Sequence, residues 1–111
     1  MFTLGKTDFE KYSKTLISWL SSELNHYPNQ VVIIGHTDGV QFKNGEYSNW
    51  ELSADRANAT RRTLIKYGME PKKILRVIGE GDQDPYDPKN NLNPANRRIE
   101  IVVLKQDDKS R

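Results

Sequence analysis

The chain has 111 residues, 35% of them hydrophobic and ten of them aromatic, enough for one modest core and too few for two domains. Lys and Arg number 17 against 15 Asp and Glu, and no segment is dominated by basic residues, which argues against nucleic-acid binding driven by phosphate neutralisation. Cysteine is absent, which excludes disulfides and thiolate metal sites.

No apolar run approaches the length of a membrane span, and the N-terminus lacks the basic region and apolar stretch of a signal peptide. For a role outside the cytoplasm, the segment that carries the chain there is expected outside these residues. In chain order, Phe2 to Leu4 reads as a short edge strand before Gly5. Thr7-Asp8-Phe9-Glu10 matches a capping box and predicts a helix from about Asp8. Phe9, Tyr12, Leu16, Leu20 and Leu24 follow at spacings of three or four, the buried stripe of an amphipathic helix that Pro28 and Asn29 end. Val31-Val32-Ile33-Ile34 is a β-branched run, expected as a central strand covered on both faces.

Gly35-His36-Thr37-Asp38-Gly39 leaves that strand, and the polar stretch from Gly39 to Tyr47 reads as a loop. Ser48-Asn49-Trp50-Glu51 is a second capping box, opening a helix to about Tyr67 that Gly68 stops in a left-handed conformation. Ile74, Leu75, Val77 and Ile78 predict a third strand, Asp82 to Ala95 an irregular surface loop, and Arg98 to Lys105 the last strand. The order β-α-β-α-β-loop-β predicts an α+β fold, a two-layer sandwich of helices on a mixed four-stranded sheet. One domain is expected over residues 1–105, followed by a polar tail at 106–111.

Three features suggest a site. Arg56 falls on the same helical line as Leu52, Thr60 and Leu64, the face expected to meet the sheet. A guanidinium there must be paired, snorkel, or reach a polar cleft. Asp38 follows a central strand, where ligands bind in sheets packed by helices, although a lone Asp also caps turns. Arg97 and Arg98 enter the last strand and must point to opposite faces, one toward a cleft and the other toward solvent. Taken together, a carboxylate and two guanidinium groups suit a ligand that carries an ammonium and carboxylates, such as an amino acid or the amino-acid end of a peptide.

The blocks Gly35-His36-Thr37-Asp38, Asn49-Trp50-Glu51-Leu52-Ser53-Ala54-Asp55-Arg56-Ala57 and Asn96-Arg97-Arg98-Ile99-Glu100-Ile101 resemble the signature of OmpA-like peptidoglycan-associated domains. The resemblance runs from Phe2 to about Leu104. Tyr47 to Asn58, Met1-Phe2, the loop from Gly39 to Tyr47 and Lys73 to Gly79 resemble the MotB type, the flagellar stator anchors, more than Pal or OmpA itself.

The resemblance implies non-catalytic binding of diaminopimelate-containing stem peptide. Asp38 would hold the ammonium and Arg56 a carboxylate, with Thr37, Asn49 and Arg97 completing the site and Arg98 belonging to the sheet. It implies a periplasmic domain of an inner-membrane protein, a MotA-type partner reached through a membrane helix not among these residues, and pairing of two copies. An outer-membrane tether of the Pal or OmpA type is the alternative. No cofactor is implied. A metal site built on His36 and Asp38 lacks an evident third ligand, and His26 stands at a helix end. Thr60 stands where the family usually has an apolar residue. Trp50 is expected to pack at the helix start, and the loop after Asp38 to be a solvated insertion.

Overall fold

A computed structural model describes residues 2–40, 45, 47–90 and 92–105, with side chains described from Thr15 onward. The expected polar tail at 106–111 and much of the loop between Gly39 and Tyr47 lie outside the described residues. The elements are β1 (Phe2–Gly5), α1 (Lys6–Asn25), β2 (Val31–His36), α2 (Asn49–Lys66), β3 (Ile74–Gly79) and β4 (Arg98–Val103). Short 3-10 turns at Pro71–Lys73 and Pro94–Asn96 precede β3 and β4.

The strands form one mixed sheet in the order β1-β4-β2-β3. β2 runs parallel to β3 and antiparallel to β4, which in turn pairs antiparallel with β1. β2 therefore lies inside the sheet, as its β-branched run predicts, with Val31 and Ile33 fully buried. Ile33, Ile101 and Val77 are register neighbours across three strands, the first two in the core and Val77 packed against it. Both helices pack on this layer, and each fully buried Ile or Leu contributes about 1.5–3 kcal/mol.

Helix α1 begins at Lys6, directly after β1 and two residues before the expected Asp8. Its buried line includes Ile17 and Ser21 beside Leu20 and Leu24, while Leu16 is only half buried. The buried Ser21 is tolerated because its hydroxyl donates to the Leu64 carbonyl at 3.1 Å, joining the two helices. β4 ends at Val103, two residues short of the expected Lys105.

The sheet-facing line of α2 is Asn49, Ser53, Ala57, Thr60 and Leu64, and not the line through Leu52 and Arg56. The reason is backbone proximity. A Cβ on Gly35 would stand 2.3 Å from the Ser53 carbonyl oxygen, and one on Gly79 would stand 2.6 Å from the Ala54 nitrogen. Only glycine in β2 and β3 lets the helix approach so closely, and small residues on α2 meet it there. Leu52 and Arg56 are turned to the flank. Thr60 is buried, and its hydroxyl donates to the Arg56 carbonyl at 3.0 Å, so the polar atom costs little.

The second capping box forms as its residues predict. Ser48 Oγ accepts from the Trp50 amide at 3.2 Å, and the Ser48 amide donates to Glu51 Oε1 at 2.8 Å. Gly68 closes the helix region at φ 116°. Trp50 remains 53% exposed at the helix start, its ring alongside Gly81.

The Ser48 hydroxyl, then the backbone amides of Glu51 and Ser48, hold the Glu51 carboxyl below its ordinary value of 4.5. A depressed carboxyl stabilises the fold above that value, and the contribution is lost as pH falls through the lower folded pKa. Ser48→Ala is expected to lower stability by about 1 kcal/mol at neutral pH. It should also shrink the acid-side loss, measured by urea unfolding at several pH values below 5 against the parent chain.

Candidate functional site

β2 and β4 make their last paired rung at His36 and Arg98. Beyond it the two chains diverge, and Asp38 and Arg97 meet across the gap. Arg97 Nη1 lies 3.5 Å from Asp38 Oδ2, with the Asp38 side chain 10% exposed. Asp38 Oδ1 accepts from the Val40 amide at 3.1 Å, the self-capped turn that a lone Asp would make. Here the turn aims the second oxygen at a guanidinium.

Helix α2 supplies the other wall. Asn49 is buried, and its Nδ2 donates to the Asp38 carbonyl at 3.3 Å and the Val40 carbonyl at 3.0 Å. The start of the helix is thereby stitched to the Asp38 turn. One and two turns on, Leu52 and Arg56 face the same space. Asp38, Val40, Asn49, Leu52, Arg56 and Arg97 line one cavity of about 180 Å³. Among the described residues, Arg56 takes part in no ion pair. The Nε of Arg97 is buried without an acceptor among them.

Four of the five residues expected at the site, Asp38, Asn49, Arg56 and Arg97, are thus brought together. Thr37 stands behind them. It is 1% exposed, does not line the cavity, and its hydroxyl has no partner among the described residues. Its amide donates to the Gly81 carbonyl at 2.8 Å, tying the Asp38 turn to the loop after β3. The Gly81 amide in turn donates to Ser53 Oγ at 2.9 Å. Gly35 and Ser53, which set the distance between α2 and the strand ends, were not legible as site residues. Their signal was the small-residue pattern in the two sequence blocks.

His36 and Asp38 do not act as a pair. His36 Nε2 is 2.5 Å from Glu100 Oε1, in a different cluster from the Asp38–Arg97 pair. The chain leaves the extended conformation at Thr37, so the alternation that would place positions 36 and 38 on one face no longer holds. Arg98, which the resemblance assigns to the sheet, is 9% exposed and pairs at 3.8 Å with both Glu100 and Asp84. His36, Asp84 and Glu100 could offer three metal-ligand atoms within 4.8 Å of one another, but Arg98 already brings a cation to the two carboxylates.

A larger cavity, about 650 Å³, lies near the C-terminal end of α1 and includes Tyr27, Glu70 and Lys73. Lys73 is buried there and donates to the Tyr27 carbonyl, and burial lowers its pKa below the ordinary lysine value. The last turn of α1 has no basic residue of its own. Lys73 supplies a cation near those terminal carbonyls, a structural role.

The model of the OmpA family matches residues 1–99 of the chain. The chain belongs to the OmpA family. It is 42% identical over 106 residues to motility protein B of Escherichia coli K12, a match covering 94% of this chain and 34% of that protein. The chain therefore spans about a third of that relative's length. Among solved structures it resembles the periplasmic domain of Helicobacter pylori MotB, with TM-score 0.71 and 25% identity over 83% of this chain and 61% of the other. It also resembles the peptidoglycan-associated lipoprotein of Burkholderia pseudomallei, with TM-score 0.68 and 25% identity over 94% and 91% of the two chains. The shared OmpA-like fold is helices packed on a mixed sheet, and its three sequence blocks here converge on one cavity. No helix among the described residues is long and apolar enough to cross a membrane.

Proposed function

We propose that this OmpA-family domain binds peptidoglycan through the diaminopimelate of its stem peptides and anchors a flagellar stator to the cell wall. The observation that carries the reading is the shared cavity: Asp38, Arg56 and Arg97 line it together. A volume near 180 Å³ is about six water volumes, a space suited to the charged end of one amino acid.

In this reading the ligand ammonium takes the outer oxygen of Asp38, and Arg97 gives up its long contact there. A ligand carboxylate is held by the Arg56 guanidinium in a two-pronged contact, with Arg97 free to share it. Neither cation needs a new partner from the protein. Binding at one small charged site is expected between millimolar and micromolar, roughly −4 to −8 kcal/mol. Several anchors on one wall raise the overall hold through avidity.

The kinship with motility protein B supports the stator role, a periplasmic location, a MotA-type partner and action as a pair. Likeness to the lipoprotein domain covers nearly the whole chain and fits an outer-membrane tether that uses the same ligand. The higher identity lies with the motility protein, and it favours the stator. In a full-length protein, an apolar helix bearing an Asp upstream supports the stator, and a lipidated Cys or a β-barrel supports the tether.

Co-sedimentation with purified sacculi tests the ligand. The chain is expected to pellet with diaminopimelate-type sacculi and to be released by free meso-diaminopimelate. It should pellet poorly with sacculi whose stem peptides carry lysine, which lacks the second carboxylate. Equal capture by both types, unaffected by the free amino acid, removes the diaminopimelate assignment.

A further inference from the structure

We infer that Glu100, with His36, Arg98 and Asp84, is a positioning residue that sets the Asp38–Arg97 geometry from the far side of the sheet; this rests on the reading of the cavity given above. Glu100 joins two groups. Its Oε1 is 2.5 Å from His36 Nε2 and 3.8 Å from Arg98 Nη2. Arg98 also donates to the Asp84 carbonyl at 3.0 Å, which brings in the loop after β3.

The placement of these groups gives them leverage. His36 and Arg98 are partners in the last rung between β2 and β4, and Ile34 and Glu100 form the rung two residues before it. Asp38 follows His36 by two residues, and Arg97 is the neighbour of Arg98. A rotation or shear of the final rung therefore moves Asp38 relative to Arg97, with no other pairing between the strands to absorb it. Backbone hydrogen bonds alone leave the end of a ladder free to fray. The His36–Glu100 hydrogen bond and the Glu100–Arg98 ion pair close that freedom.

Burial marks the cluster as more than surface charge. His36 is 2% exposed, and the side chains of Arg98 and Glu100 are 9% and 15% exposed. Solvated ion pairs contribute little to geometry, whereas largely buried hydrogen-bonded charges hold their partners in place. A ligand site is held by such outer contacts as well as by the residues that touch the ligand.

The test uses the 111-residue chain and meso-diaminopimelate, with affinity measured by calorimetry. Glu100→Gln keeps the size of the side chain and removes its charge. It is expected to weaken binding about tenfold through misplacement of the binding groups. In an Arg97→Ala background the same substitution should cost almost nothing, because the geometry it maintains is gone. A merely structural Glu100 would lower thermal stability and weaken binding equally in both backgrounds, and that result overturns the inference. So does unchanged affinity of the single variant. Should Glu100→Gln not fold, Arg98→Lys keeps the charge but loses the guanidinium fork that holds Glu100 and the Asp84 carbonyl together. Weaker binding by that variant supports the clamp, and full affinity overturns it. Parent binding that is absent, or unchanged in Asp38→Asn, condemns the cavity reading instead.

Discussion

Asp38→Asn is expected to abolish capture by diaminopimelate-type sacculi while the chain remains folded. The asparagine side-chain oxygen can still accept from the Val40 amide, so the turn that begins the loop survives. What disappears is the charge facing Arg97 and the cavity. A hydrogen bond to a charged group contributes about 1.5–3 kcal/mol, so the loss is roughly ten- to a hundredfold in affinity for a ligand ammonium. A site that begins near the millimolar end of its expected range falls below detectable capture after such a loss. Asp38→Ala should bind no better and should also lose stability, since it removes the turn's acceptor. Comparing the two by sacculus pull-down and urea unfolding separates charge from turn. Undiminished capture by both, together with undiminished capture by Arg56→Ala, defeats the proposed site. Arg56→Lys is expected to restore little, because an ammonium cannot grip a carboxylate with two parallel bonds.

Gly35→Ala should lower both stability and binding, although Gly35 touches no ligand. Its new methyl group would meet the Ser53 carbonyl oxygen at 2.3 Å and the carbonyl carbon at 3.1 Å. Both are backbone atoms of α2, so no side-chain rotation relieves the clash. The helix must lift from the sheet, at a cost of about 1–3 kcal/mol for overpacking. Lifting α2 carries Asn49 and Arg56 away from the Asp38 turn, which opens the cavity wall. Thermal unfolding and calorimetric titration with meso-diaminopimelate read the two effects. Gly45→Ala, where an added Cβ meets nothing within 4 Å, is the matched control and should leave both unchanged. A Gly35→Ala chain with parental stability and affinity would falsify this account of how α2 is set.

Much of the fold follows from local chemistry. The β-branched run at Val31–Ile34 has few alternatives to a strand, and Ser48 with Glu51 fixes the start of α2 within a single turn of chain. Asp38, Arg56 and the Arg97-Arg98 pair stood out because charged types occur where a core or a strand end demands a reason, and Asn49 and the choice of Arg97 came with the family resemblance. The failures share one cause. The face that α2 buries is decided by where two backbones approach, and that depends on glycines more than a dozen residues away in sequence. A reading by apolar spacing chose the Leu52–Arg56 line, while the helix turned on Ser53 and Ala57. Alternation puts Arg97 and Arg98 on opposite faces and expects one of them in solvent, but it does not say what covers Arg98. Glu100 and the loop at Asp84 cover it.

Residue types and their order determined the elements of this protein, their succession, its family and most of the groups that could meet a zwitterionic ligand. Those properties depend on interactions within a few residues or on blocks read directly along the chain. Tertiary structure alone decided that Glu100 and the loop at Asp84 cover Arg98, that Thr37 stands behind the cavity, and that His36 belongs to a cluster on the other side. Each of these turns on which segments lie opposite one another across a sheet. That arrangement is set by strand pairing and close backbone packing between distant parts of the chain, and no local pattern encodes it.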